Sequence, residues 1–333
     1  MTVKTKKYRY MKLGKISLVF LTLGLLVLSC NKDDDGGGIP VVEIRDRTEQ
    51  QIADNDSIVK YFENHYYNSS AFGAFNTNPK IEDLIITELL AGESVPDGST
   101  LLSTLLNVPG SALETKNITF AETEYEIYIL RLNQGGGDES PNFSDNVRVR
   151  YEGFTLENSI FDSAVTPVDF DLISLIPAWR KVLPEFNVSV PPPVTNTDGT
   201  TDFINSGLGV MFVPSGLAYF SSATAGIPAY TPIIFKFELL QTFENDHDSD
   251  GIPSYLEDLN GDGEFIVNFE DLEDTTDDDT DGNGNPDYFD NDDDGDGVLT
   301  INEDIDGDGD PTNDIGANGI PKYLDATETA SKL

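Results

Sequence analysis

"VRVRYEG" at 147–153, "LIPAWRKVLPEF" at 175–186 and "IIFKFELLQTF" at 233–243 decide how the middle of this chain folds. In the first, Val147, Val149 and Tyr151 alternate with arginines, the period-two pattern of a half-buried strand ending at Gly153. The second places Ile176, Trp179 and Leu183 on one face of a short helix. In the third, Ile233, Phe235, Phe237 and Leu239 alternate with Ile234, Lys236 and Glu238, which is another strand. "SIFDSAVTPVDF" at 159–170, "FVPSGLAYF" at 212–220 and "AGIPAYTP" at 225–232 add aromatic residues between them. Upstream, "EYEIYILRLNQGGG" at 124–137 alternates Tyr125, Ile127 and Ile129 with an apolar Leu132, and reads as the first strand of the same domain.

This order of strand, "FDS", tryptophan-bearing helix, "Ala-Tyr" and final "FKFELL" strand resembles the FKBP family of peptidyl-prolyl isomerases over about Thr123 to Phe243. The resemblance implies an α+β fold, a strongly bent antiparallel sheet wrapped on one short helix. It also implies a substrate pocket. Tyr151 and Phe161 would form an aromatic wall with Asp162 as a polar contact, Leu175 and Ile176 the rim, and Trp179 the floor under the substrate proline. Tyr219, Ile227 and Phe235 would close the far side, with the Tyr219 hydroxyl and the Ile176 N–H bonding the substrate backbone. The chain departs from the family at Phe220, where a glycine usually follows "Ala-Tyr", and at Val168, where an aromatic often precedes the helix. Pro177 interrupts the helix entry, and "VPPPVTNTDGTTDFINSG" at 190–207 is a long loop where most members have a short turn. The activity implied is cis–trans isomerisation of X-Pro bonds in exported polypeptides, with no cofactor for catalysis. The alternative is a non-catalytic chaperone or an adhesion or spacer lipoprotein. The histidines, His65 and His247, have no serine, cysteine or zinc-type partner at motif spacing, so a core or solvated role is expected for His65.

The formal net charge of −40 argues against nucleic acid or an anionic membrane surface as a partner. Half of the 60 acidic residues lie after Phe243. The N-terminus carries the opposite sign. Lysines 4, 6, 7, 12 and 15 with Arg9 precede the apolar run "ISLVFLTLGLLVLS", which is short for a transmembrane helix and ends in "LVLSC". That ending resembles a bacterial lipobox, implying a signal peptide at 1–29 and a lipid anchor on Cys30, the only cysteine. "NKDDDGGG" then resembles the signal that sends some lipoproteins to the outer surface, though a plain flexible tether fits it equally. The localisation implied is the bacterial outer membrane, periplasmic or surface-exposed.

After a linker to residue 45, a helical segment is expected over 46–122. Ile52, Ile58, Val59, Phe62 and Tyr66 fall near helical spacing, while "KIEDLIITELLAG" at 80–92 leaves helix and strand both open. The isomerase-like domain is bounded at 123–244, followed by acidic repeats at 245–326 and a tail at 327–333.

The acidic repeats iterate Asp-x-Asp-x-Asp-Gly, whose alternating short oxygens and turn-forming glycine wrap calcium. "DHDSDGIPSYLE" offers Asp246, Asp248, Asp250 and Glu257; "DDDGDGVLTINE" offers Asp292, Asp294, Asp296 and Glu303. Partial copies offer Asp258, Asn260 and Asp262; Asp277, Asp279 and Asp281; and Asp304, Asp306 and Asp308. Their close succession resembles thrombospondin type 3 repeats, implying structural calcium in place of an apolar core.

Overall fold

A computed structural model describes residues 44–73 and 76–332. The signal-like segment, Cys30 and the linker up to residue 43 lie outside the described residues. Among those described, no helix is long and apolar enough to cross a membrane.

Helix α1 spans Arg47–Asn64, opened by Asp46, whose side chain accepts the Glu49 N–H at 2.9 Å. Three short strands follow, β1 (His65–Tyr67), β2 (Ile86–Glu88) and β3 (Thr100–Leu101), forming a small antiparallel sheet in the order β2-β1-β3. The expected helical segment over 46–122 is therefore helical only in its first part. Pro79, Pro96 and Gly98 punctuate the rest, and "KIEDLIITELLAG" resolves into a 3₁₀ turn and β2. Tyr66 lies in β1, and Ile52 faces solvent. The buried face of α1 carries Gln50, Gln51 and Asp54 beside Ile58, Tyr61 and Phe62. Asp54 explains this polar stretch, because its carboxylate accepts both the backbone N–H and the hydroxyl of Ser215, at 2.7 and 2.6 Å.

The main sheet has six strands: β4 (Leu113–Phe120), β5 (Thr123–Asn133), β6 (Asn146–Thr155), β7 (Ile160–Asp171), then, beyond a two-stranded insertion, β10 (Gly207–Val213) and β11 (Ile233–Phe243). Their order is β4-β5-β10-β11-β6-β7, antiparallel throughout. The sheet thus begins one strand before Thr123. Ala121 and Glu122 make the β4–β5 turn with φ of 46° and 59°, the left-handed pair of a tight hairpin, without the glycine or asparagine that normally signals it.

Period-two alternation divides the core between the two faces. Ile127, Ile129, Val147, Val149, Met211, Phe235, Phe237 and Leu239 pack under helix α2 (Pro177–Val182). Tyr128, Leu130, Phe154, Val210, Phe212 and Ile234 pack under α1. With both faces covered, β10 is buried at every position. Pro177 is the first residue of α2, where its fixed φ and missing N–H suit helix entry, so it starts the helix rather than interrupting it. The long 190–207 loop is a hairpin of β8 (Val190–Thr195) and β9 (Thr201–Ile204). Glu238, fully buried on β11, joins Lys80 and Arg150, each at 3.3 Å, and Lys80 also donates to the Phe203 carbonyl, tying this hairpin to the segment after α1.

Residues 245–332 contain no α-helix or extended strand, only loops, 3₁₀ turns and one isolated bridge. They pack on the sheet domain through Phe143 and Phe265 (5.1 Å between ring centroids), and Phe265 stacks on Tyr288 at 4.1 Å.

Candidate active site and cation-binding loops

The aromatic residues singled out from the sequence come together under the bend of the sheet. Trp179, buried on α2, lies 5.1 Å from Phe235 and 5.8 Å from Tyr151, edge to face with the latter. Phe161 meets Phe235 at 5.5 Å in a perpendicular contact. Ile227 is buried in the same cluster, and Leu175, Ile176, Tyr219 and Phe161 pack against it while remaining partly exposed, as the rim of a site must be. A Cβ at Gly153 would approach the Phe235 and Phe161 rings to 2.6 and 2.7 Å, so only glycine lets these two rings meet over β6.

One polar arm enters this wall. The Tyr151 hydroxyl donates to Asp162 Oδ2 at 2.6 Å, which fixes both groups at the mouth. Burial, then the neighbouring carboxylate, pushes the Tyr151 hydroxyl well above the ordinary phenol range and raises that of Tyr219 for the same two reasons. Both hydroxyls are donors at neutral pH. The Ile176 N–H lies at the N-cap of α2, where no intrahelical carbonyl is available to it.

The structure adds one residue and clears two others. Phe170 lies 5.4 Å from Tyr151 and 6.2 Å from Trp179, so an aromatic does stand before the helix, two residues beyond Val168. Val168 pairs with Val149 on the neighbouring strand and packs against the same cluster. Phe220 adopts φ of 46°, a conformation that favours glycine, but its ring turns away from the site. It sits under Arg47 of α1 at 4.2 Å and meets Tyr230 at 5.2 Å. The cavity beside the β8–β9 hairpin is lined by Arg148, Arg150, Pro167 and Phe203 and by none of the aromatic-site residues. His65 is a core residue, stacked on Tyr61 at 3.5 Å with Nδ1 bonded to the Tyr61 carbonyl oxygen. His247 lies 3.5 Å from Asp171 and bonds Ser254.

In the acidic region, carboxylates converge. Asp292, Asp294 and Asp296 form one group, with Glu303 fully buried and facing all three, and Asp304, Asp306 and Asp308 form another. Asp258 and Asp262 group with Asp278, a residue outside the expected register, while Asn260 donates to Asp278. Asp248, Asp250 and Glu257 group with Asp293, also outside that register; Asp246 turns to the Ser249 and Gly251 amides of its own loop. Asp277, Asp279 and Asp281 do not form such a group; their oxygens accept the Asn268, Gly284 and Asn283 amides. Buried oxygens of Asp248, Asp250, Glu257, Asp294, Asp296 and Glu303 have no hydrogen-bond partner. Burial, then mutual repulsion, drives Glu257 up to about 10 and Asp248 and Glu303 to about 8. Unpartnered carboxylate oxygens gathered on short loops are the donor set of a hard divalent cation, so the residues present fit calcium.

Comparison with known proteins bears out the resemblance to the FKBP family. Over 115 residues, 34% of this chain, it is 28% identical to the FKBP-type peptidyl-prolyl cis-trans isomerase FkpA of Escherichia coli (strain K12), covering 36% of that protein. Over 123 residues it is 30% identical to the FKBP-type 22 kDa peptidyl-prolyl cis-trans isomerase of the same strain, covering 51% of it. The chain thus spans about a third and about half the length of these curated relatives. Among solved structures, a peptidyl-prolyl cis-trans isomerase from Pseudomonas syringae pv. tomato str. DC3000 matches with 23% identity and a TM-score of 0.31, over 42% of this chain and 86% of that one. FkpA from Escherichia coli matches with 25% identity and a TM-score of 0.30, over 39% and 52%. A family profile described as BamM C-terminal matches residues 247–307.

Proposed function

We propose that the aromatic site is a peptidyl-prolyl cis–trans isomerase centre acting on proline-containing exported polypeptides at the cell envelope. The observation that carries this reading is the convergence of Tyr151, Phe170 and Phe235 on Trp179, with Phe161 against Phe235, from three strands and a helix, and with the Tyr151–Asp162 bond at the mouth. Rotation about an X-Pro bond breaks amide resonance and no covalent bond, against a barrier of roughly 18–20 kcal/mol. Water stabilises the charge-separated planar amide more than the twisted one. An apolar floor of Trp179 and Phe235 withdraws that stabilisation, so burial favours the twisted state. The Tyr219 hydroxyl and the Ile176 N–H would hold the flanking carbonyls, while the Tyr151–Asp162 bond keeps the wall in place.

Membrane attachment through a lipid on Cys30 and placement in the outer membrane complete the reading. Cys30→Ser is expected to move the protein to the soluble fraction or stall it as a precursor. The acidic loops would hold calcium as a structural ion, supplying the positive charge that their buried carboxylates lack.

The test is exchange of a short X-Pro peptide in the presence of the full chain. Acceleration over the uncatalysed rate that is lost on adding an FKBP-directed macrolide is expected. A folded chain that binds the peptide without accelerating exchange would leave a chaperone; one that does neither would overturn the assignment of the site.

A further inference from the structure

We infer that Asp293 is the closing ligand of a divalent-cation site built from two distant loops, with Asp248, Asp250 and Glu257 supplying the other side. The inference rests on the cation-binding reading of the tail and goes beyond it. Repeat spacing assigns the last three to one loop and gives Asp293 no role.

One oxygen from each of the four carboxylates lies within 4.8 Å of all the others. That upper limit is about twice a calcium–oxygen distance of roughly 2.4 Å, so the four oxygens are close enough together to share one ion after a small inward movement. The second observation is the state of the oxygens. Asp250, Glu257 and Asp293 are 1%, 0% and 1% exposed, and both oxygens of Asp248, Glu257 and Asp293, with one of Asp250, accept no hydrogen bond. Asp250 uses its other oxygen for the Ile252 N–H.

A neighbour in the same cluster serves as an internal control. Asp287 is equally buried, but its oxygens accept the Thr280 N–H and hydroxyl at 2.8 Å each. Burial in this region therefore does not by itself leave a carboxylate without hydrogen bonds. Asp293 has no such bonds, and its free oxygens face Glu257 and Asp248. Asparagine or serine would satisfy a purely structural position at less electrostatic cost.

Closing this site ties Glu257 to Asp293 and so makes a loop of residues 258–292. Within that loop, Glu264 pairs with Arg180 and, at 2.8 Å, Lys181 on α2. The cross-loop ion thus holds the segment that docks on the helix of the aromatic site.

The test uses the full chain, stripped with chelator and titrated with calcium by calorimetry and equilibrium dialysis. Asp293→Asn is expected to remove one bound ion or weaken that site about tenfold or more. It should also speed protease cleavage within 258–292 at millimolar calcium. Asp287→Asn should leave the number of bound ions unchanged. A wild-type chain that takes up no calcium would sink both this inference and the reading beneath it. Uptake by wild type with unchanged number and affinity in Asp293→Asn would sink the cross-loop site alone. Should Asp293→Asn misfold, crystals of the wild-type chain soaked in terbium decide the matter: an anomalous peak among the four carboxylates is expected, and peaks only in the other loops would overturn the site.

Discussion

The sheet domain and the acidic region solve the problem of an interior in opposite ways. Around α2 the buried groups are rings and branched aliphatics whose removal from water stabilises the fold without any partner. In the acidic region Glu257, Asp278, Asp287, Asp293 and Glu303 are buried at 1% exposure or less, where an apolar core would normally stand. Buried carboxylates destabilise unless hydrogen-bonded or neutralised. The first region is therefore expected to carry its own stability, and the second to need a bound cation.

The largest effect should come from removing cations. At millimolar calcium and Kd values on the order of 10⁻⁴–10⁻³ M, each independent site contributes roughly 0.4–1.4 kcal/mol, so only several acting together order the chain. Chelator should therefore raise protease cleavage after Phe243 about tenfold or more while β4 to β11 stay protected from hydrogen exchange. Equal loss of protection in the sheet would break the comparison, showing that its stability is not its own.

The contact between the two regions offers the next test. Glu264 pairs with Arg180 and Lys181, all of them close to nine-tenths buried at their side chains, so Glu264→Gln should loosen docking by about 2–3 kcal/mol. Faster hydrogen exchange in α2 and a changed Trp179 emission would report it. Unchanged emission and exchange would mean that the tail sits beside the site without bracing it.

At the mouth of the site, Asp162→Ala removes the acceptor of the Tyr151 hydroxyl. Asp162 is exposed, so global stability should change by less than about 1 kcal/mol while kcat/KM on a prolyl peptide falls about tenfold. A large drop in melting temperature would recast the bond as structural.

The smallest effect on catalysis is expected at Phe220. Phe220→Gly relieves a left-handed backbone but forfeits burial under Arg47, for a net cost of about 1–2 kcal/mol. Isomerase activity should stay within about twofold, because the ring faces α1 and not Trp179. A marked gain in rate would mean that the ring restricts the pocket after all.

Much of the sheet domain was legible because alternation in β6 and β11 and the order of aromatic residues are local or sequential properties. The sequence by itself determined the strands β6 and β11, the short helix with Trp179 and the presence of acidic loops, while the wall from Tyr151 to Phe235 was named through the family resemblance. Tertiary structure decided the rest, for three physical reasons. The β4–β5 turn uses Ala121 and Glu122 at positive φ, so no turn residue marks the extra strand. Val168 and Phe170 share one face of β7 and both pack on the aromatic cluster, so a period-two count cannot tell which of them meets Tyr151, and the structure shows that it is the Phe170 ring. In the triplets at 277–279 and 292–294, the repeat spacing gives the middle aspartates no role. Asp278 and Asp293 are buried against carboxylates of other loops, Asp278 beside Asp258 and Asp262 and Asp293 beside Asp248, Asp250 and Glu257, and only the folded chain brings those loops together.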